Sequence, residues 1–306
     1  MQQQYTLVTV AYVDDVGFMH LQARSIARYV PRNLIKQIIV VENAPPALPD
    51  GWRHKLKREY GSLADLVKFI PASQLAVMAP DIGGWFTQQV LKLAVADEVA
   101  TDYYLILDAK NHFVFPLTRE RLEVNGKPNM FIHGYEKHTL RRYLEPILHY
   151  FGLPQSHIKQ MLPTTPPFFM PTKLVREMIL TMMVREQRSF PELFLQSEIK
   201  FTEFFTVGAY MLNTNRKFED YFTVTQHQDH IIWKQGAPDD RYVATAITRT
   251  EELRNVLFSV HRASFPLLSE TSRKAIAEFW SRRQLFKDCA AGLAFLRHPN
   301  GEPDRA

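Results

Sequence analysis

The first 115 or so residues alternate between short apolar runs and amphipathic helical stretches, and this alternation restricts the chain more than any other feature. Thr6 to Val13 is β-rich and apolar on both faces. It stops at Asp14-Asp15 and gives way to a helical pattern carrying Phe18, Leu21, Ile26 and Tyr29. Ile35 to Val41 is a second such run, closed by Glu42-Asn43 and Pro45-Pro46. Val67 to Ile70 is a third, and Tyr103 to Leu107 a fourth, ending in Asp108-Ala109-Lys110-Asn111-His112. Strands that are apolar on both faces belong in a sheet covered on both sides. The alternation therefore predicts an α/β fold, a doubly wound mixed sheet flanked by helices, with a helical C-terminal region. Such sheets bind ligands outside the carboxyl ends of their strands, where Asp14, Glu42, Asn43 and Asp108 stand.

Ahead of the fourth run, Gly83-Gly84 frees the backbone after Asp81 and opens a helix expected over Trp85 to Val99. On that helix Trp85, Gln88 and Lys92 share one stripe, while Phe86, Val90, Leu93 and Asp97 line another. The first stripe suits a ligand and the second suits packing. Farther on, the pattern predicts helices at Leu140 to Tyr150, Leu174 to Glu186 and Ser197 to Tyr210, then the segment Phe222 to Ile231. A short strand follows near Phe258 to Arg262, with amphipathic helices over Glu270 to Leu296. The expected division is an α/β catalytic domain over 1–265, with a nucleotide-binding half to about 115 and an acceptor half from 116. Residues 266–306 then hold C-terminal helices and a loose tail.

Composition removes the alternatives. With 46% apolar residues, 12 Gly in 306 and a single Cys, the chain is neither disordered, collagenous nor a disulfide scaffold. The lone Cys289 and the absence of a basic-then-apolar leader fit a cytoplasmic protein, peripheral to the inner membrane at most. Lys and Arg exceed Asp and Glu by 37 to 32, a formal charge of +5 that is spread along the sequence. That excess favours small anionic ligands and gives no dense basic stripe for nucleic acid.

Asp108 is the strongest single signal, because a carboxylate at a strand tip is held rigidly yet faces the crevice; the plainer alternative is a turn residue. Removing it is expected to abolish activity with little loss of fold. Lys110 can neutralise a phosphate directly or be a solvated loop lysine. Trp85 either stacks on a sugar or base or anchors a core, and Asp81 either binds hydroxyls or caps the helix.

The run from Gly84-Trp85-Phe86-Thr87-Gln88-Gln89 to Leu93, followed by Tyr104 to Leu107 and Asp108-Ala109-Lys110-Asn111-His112, resembles an uncharacterised bacterial family of GT-A-type glycosyltransferases. Thr165-Pro166-Pro167-Phe168, Glu203-x-x-x-x-Gly208-x-Tyr210 and His261 are similar as well. The resemblance implies a GT-A-like fold and transfer of sugar from a nucleotide-sugar donor to a glycan or glycolipid in surface polysaccharide synthesis. It implies donor contacts from Asp14, Glu42, Asn43, Asp81, Gly83, Gly84, Trp85, Gln88, Lys92, Asn111, His261 and Arg262, with Asp108, Lys110 and Glu203 as catalytic groups. Asp108 would open the Asp-x-Asp motif that holds Mn²⁺ or Mg²⁺, but Lys110 replaces the second Asp. Asp108 and His261 alone make a poor metal site unless donor oxygens and water complete it. Lysine charge could instead stabilise the leaving phosphate, and Glu203 could take the acceptor proton. The alternative implied by the degenerate motif is a noncatalytic nucleotide- or glycan-binding protein on the same fold.

Overall fold

The computed structural model describes residues 2–43, 48–78, 84–225 and 230–299. Its central sheet is built from the four apolar runs in sequence: β1 (Tyr5–Ala11), β2 (Ile35–Glu42), β3 (Val67–Pro71) and β4 (Tyr103–Leu107). Every residue of β1 is buried, as a middle strand requires. It pairs in parallel with β2 on one side, Val8 opposite Ile39, and with β4 on the other, Val8 opposite Ile106. Parallel pairing needs crossovers, and the helix Val16–Tyr29 supplies the first of them.

Beyond β4 the chain leaves this sheet. β5 (Asn111–Phe113) starts four residues later and joins a second, three-stranded sheet. The hairpin β6 (Glu123–Val124) and β7 (Lys127–Phe131) follows, and β8 (Phe168–Pro171) returns to the central sheet antiparallel to β4, giving the order β3-β2-β1-β4-β8. β9 (Thr223–Thr225) lies parallel to β7. β10 (His230–Ile232) and β11 (Leu257–Val260) complete the second sheet, in which β11 sits between β10 and β5. The fold is thus the mixed α/β sheet flanked by helices that the alternation predicts.

Two expectations shift. The helix after the glycines runs over Gly84–Ala94 and tightens into a 3-10 turn at Val95–Glu98, shorter than the span to Val99. The described ends of the 222–231 segment are strands β9 and β10. In the second case the neighbouring strands β11 and β7, absent from any local pattern, decide the outcome.

The helices Glu270–Arg282 and Cys289–Arg297 each begin on a side-chain cap, Ser269 accepting from Ser272 N–H at 3.0 Å and Asp288 from Ala291 N–H at 2.8 Å. Such caps contribute about 1 kcal/mol each. These helices belong to the same hydrophobic core as the sheets: Phe295 lies 5.6 Å from Phe18, and Arg24 donates to the Leu285 carbonyl at 2.6 Å. Arg282 and Arg283 both reach Glu251, at 3.2 and 2.7 Å. Among the described residues no helix is long and apolar enough to cross a membrane.

Candidate active site

Asp108 stands where the chain passes from β4 to β5, and a set of buried hydrogen bonds fixes it there. Its backbone N–H donates to Asn111 Oδ1 at 2.7 Å, and Asn111 Nδ2 donates in turn to Ser259 Oγ on β11 at 2.8 Å. Gln22 Nε2 donates to the carbonyls of Asp108 (2.7 Å) and Asn111 (3.0 Å), while its own oxygen accepts from Thr9 at 2.8 Å. Behind the loop His112 is almost wholly buried. Its Nδ1 sits 3.1 Å from the Lys110 carbonyl, and its Nε2 accepts from the indole N–H of Trp280 at 2.8 Å. Because Nε2 accepts, the proton lies on Nδ1 and donates to Lys110 O.

Burial pulls the His112 imidazole down to about 4. A histidine with a depressed folded value contributes stability that is full above its unfolded value of about 6.5 and is lost as pH falls toward 4. The difference amounts to about 3 kcal/mol. Urea unfolding across pH 7 to 4 is expected to show that slope, and His112→Gln is expected to flatten it.

The Asp108 carboxylate borders a cavity of about 580 Å³ at the carboxyl ends of β1 and β4. Both its oxygens are occupied: Lys92 Nζ lies 2.9 Å from Oδ1, and Lys110 Nζ bonds Oδ2. Lys92 reaches a second acid, Glu203 Oε1, at 3.2 Å, and lies 5.4 Å from the Phe204 ring centroid. Burial disfavours the Asp108 charge, but Lys110 and Lys92 outweigh it and hold the carboxyl well below the usual range. At Glu203 burial prevails over Lys92, and its pKa is raised. Lys92 is itself buried, yet its two carboxylate partners hold its pKa up.

The helix Glu203–Asn213 brings Glu203 to this wall. A Cβ on Gly208 would come within 2.9 Å of Met161 Sδ, so glycine there permits the helix its close approach. Across the cavity Arg262 pairs with Asp14 at 3.1 Å and Asp15 at 3.4 Å. His261 packs on Trp233 with centroids 5.3 Å apart, and Lys110 Nζ lies 5.6 Å from the same indole.

Asp14, Asn43, Gly84, Trp85, Gln88, Lys92, Asp108, Lys110, Glu203, His261 and Arg262 thus line one hollow. Gly84 and Asp108 share it, as the sequence leads one to expect. Glu42 and Asn111 do not line it: Glu42 is buried and forms a bidentate pair with Arg53, and Asn111 holds the loop from behind. Asp81 and Gly83 lie outside the described residues. Sequence reasoning missed Trp233, which follows β10 with no local motif to mark it, and Thr202, whose buried hydroxyl has no partner among the described residues. A threonine just before an acid that opens a helix was the available signal for the latter.

The donor set does not suit a divalent cation. Two ammonium groups occupy the Asp108 oxygens, and His261 Nδ1 accepts from the Ala263 N–H at 3.2 Å. Among the described residues no group of three or more His, Cys, Asp or Glu could hold a metal.

Fold and cavity define a mixed-sheet α/β protein with a ligand-sized hollow at the ends of its parallel strands. The chain belongs to a family of unknown function, DUF6492, whose sequence profile matches residues 5–245. No curated protein matches the sequence. Among solved structures it is similar to the galactosyltransferase LgtC in complex with donor and acceptor sugar analogues: 13% identity, TM-score 0.49, covering 84% of this chain and 90% of that one. It is also similar to the glycosyltransferase GlyE of Streptococcus pneumoniae TIGR4, at 11% identity and TM-score 0.45 over 100% of this chain and 66% of the other. The bifunctional WbbM apo structure is 11% identical with TM-score 0.49, covering 86% of this chain and 46% of that one.

Proposed function

We propose that the protein is a glycosyltransferase that moves a sugar from a nucleotide-sugar donor to a hydroxyl of a glycan or glycolipid acceptor, in bacterial surface polysaccharide synthesis, without a catalytic metal. The observation that carries this reading is the Lys92–Asp108–Lys110 cluster on the wall of a cavity of about 580 Å³, within the ~300–1,000 Å³ typical of ligand sites. In the reaction the bond from the sugar C1 to the diphosphate oxygen breaks, and the electron pair leaves with the nucleoside diphosphate. A bond from C1 to the acceptor oxygen forms, and the acceptor proton goes to a base.

Lys110 and Arg262 face the charge that grows on the departing diphosphate, a task that placed cations perform well in a water-poor site. Asp108 holds Lys110 and Lys92 apart at fixed positions. Glu203, buried beside them, is the group placed to receive the acceptor proton, since burial raises its affinity for one.

The test is a panel of nucleotide sugars, each incubated with the purified protein with and without Mn²⁺. Turnover of at least one is expected. Lys110→Ala is expected to lower kcat by about 100-fold, with no repair by Mn²⁺. Repair by Mn²⁺ would restore a metal-centred scheme, and thermal stabilisation by nucleotides without any turnover would favour the noncatalytic binder.

A further inference from the structure

Charge is sorted within the cavity. Asp14 and Asp15 are tied to Arg262, and His261, Trp233 and Lys110 follow in contact toward Asp108. Trp85, Gln88, Leu140, Thr164, Thr165 and Phe205 line the same cavity, make none of these charged contacts and carry no charge themselves. A diphosphate belongs with the first set, whereas hydroxyls, an amide and an aromatic face suit a neutral sugar ring.

Trp85, one of these uncharged lining residues, is 48% exposed. Its ring lies 6.2 Å from that of Tyr143, over which the Arg142 guanidinium sits at 4.9 Å. Tyr143 belongs to the helix Arg141–Tyr150, and its N–H donates to the carbonyl of Leu140, itself a cavity residue, at 2.9 Å. On the far side Arg142, Tyr143, Pro146, Glu198 and Lys200 border a second hollow of about 340 Å³. Residues of the two hollows are therefore linked at the first turn of one helix and across one aromatic pair.

We propose that the acceptor is an oligosaccharide, its terminal sugar in the main cavity and its following units laid over Trp85 and Tyr143 into the second hollow. This assignment rests on the transferase reading for the word acceptor, but the glycan subsite stands on its own geometry. It moves Trp85 and Gln88 from the donor, where the sequence resemblance sets them, to the acceptor. A single sugar can occupy only one hollow and one ring, whereas a longer chain can engage both rings and the polar groups beyond. Affinity is therefore expected to depend on chain length.

The experiment uses the full chain on a glycan array, followed by titration with a matched series of one to four units from a retained glycan. Wild type is expected to bind three units at least tenfold tighter than one. Trp85→Ala, which removes an exposed ring and leaves the core intact, is expected to abolish that gain, and Tyr143→Ala to reduce it. Equal affinity for short and long members, retention of the gain in Trp85→Ala, or no glycan retained at all would overturn the subsite. Nucleotide-sugar hydrolysis without acceptor is measured in parallel. A protein that binds long glycans but hydrolyses no nucleotide sugar keeps the subsite and loses the transferase reading. One that hydrolyses a donor yet shows no length dependence loses the subsite alone.

Discussion

Lys92→Met is expected to be the most destabilising single substitution in the site, costing about 3–5 kcal/mol in urea unfolding at pH 7. Lys92 is buried and bonds two buried carboxylates, at 2.9 and 3.2 Å. A methionine fills nearly the same volume, so the loss measures charge and not packing. Asp108 keeps Lys110, but Glu203 is left with no cation in a site where burial already raises its pKa. A group whose folded pKa is raised stabilises the fold below its unfolded value and ceases to do so as pH climbs through the folded one. The deficit of the variant is therefore expected to shrink as pH falls toward 4.5, the ordinary value for this carboxyl. Adding Glu203→Gln should recover part of it at pH 7. A loss under 1 kcal/mol, or one indifferent to pH, would mean that the ion pairs contribute little.

Asp108→Asn is expected to cause the largest loss of activity, a fall in kcat/KM of about 10²–10³-fold on whichever donor the wild type uses. The carboxylate accepts from two ammonium groups, one per oxygen. An amide has one acceptor and one donor, so one lysine must face N–H groups and turn away. Lys110 loses its fixed position, and with it the preorganised charge opposite the leaving group. Asp108 holds a depressed pKa through these same contacts. Its contribution to stability is therefore present above the ordinary value of 3.8 and disappears as pH falls below it. The variant should lose some stability at pH 7 as well as activity. The sequence alone leads one to expect a loss of activity with little loss of fold, so the stability measurement separates the two readings. Unchanged kcat/KM in Asp108→Asn would remove this residue from the reaction.

Much of this arrangement was legible because it is local. Four apolar runs, three of them ending in acids, mark four of the five strands of the central sheet and the end where the cavity opens, and helical spacing alone placed Trp85, Gln88 and Lys92 on one stripe, which all line the cavity. What sequence could not show is partnership across distance. Lys92 meets Glu203 from 111 positions away, and His112 meets Trp280 from 168. Lys92 reads on a helical wheel as a lysine free to reach a ligand, and only the fold reveals that two acids claim it. Asn111 reads as a ligand contact in a polar cluster, but as a strand residue of β5 it is buried and braces the loop. Local polarity cannot distinguish a group that meets substrate from one that holds such a group still.

The pairing of β5 with β11 sets a limit on how this protein can be divided. The match to the family ends at residue 245, but the strand that flanks the Asp108 loop begins at Leu257, and the indole bonded to His112 is at 280. A fragment trimmed to the matched span would carry the loop on a strand stripped of its neighbour, with Ser259 and Trp280 missing. The matched span is thus shorter than the unit that can shape the site, and residues past 245 belong in any engineered piece meant to retain it.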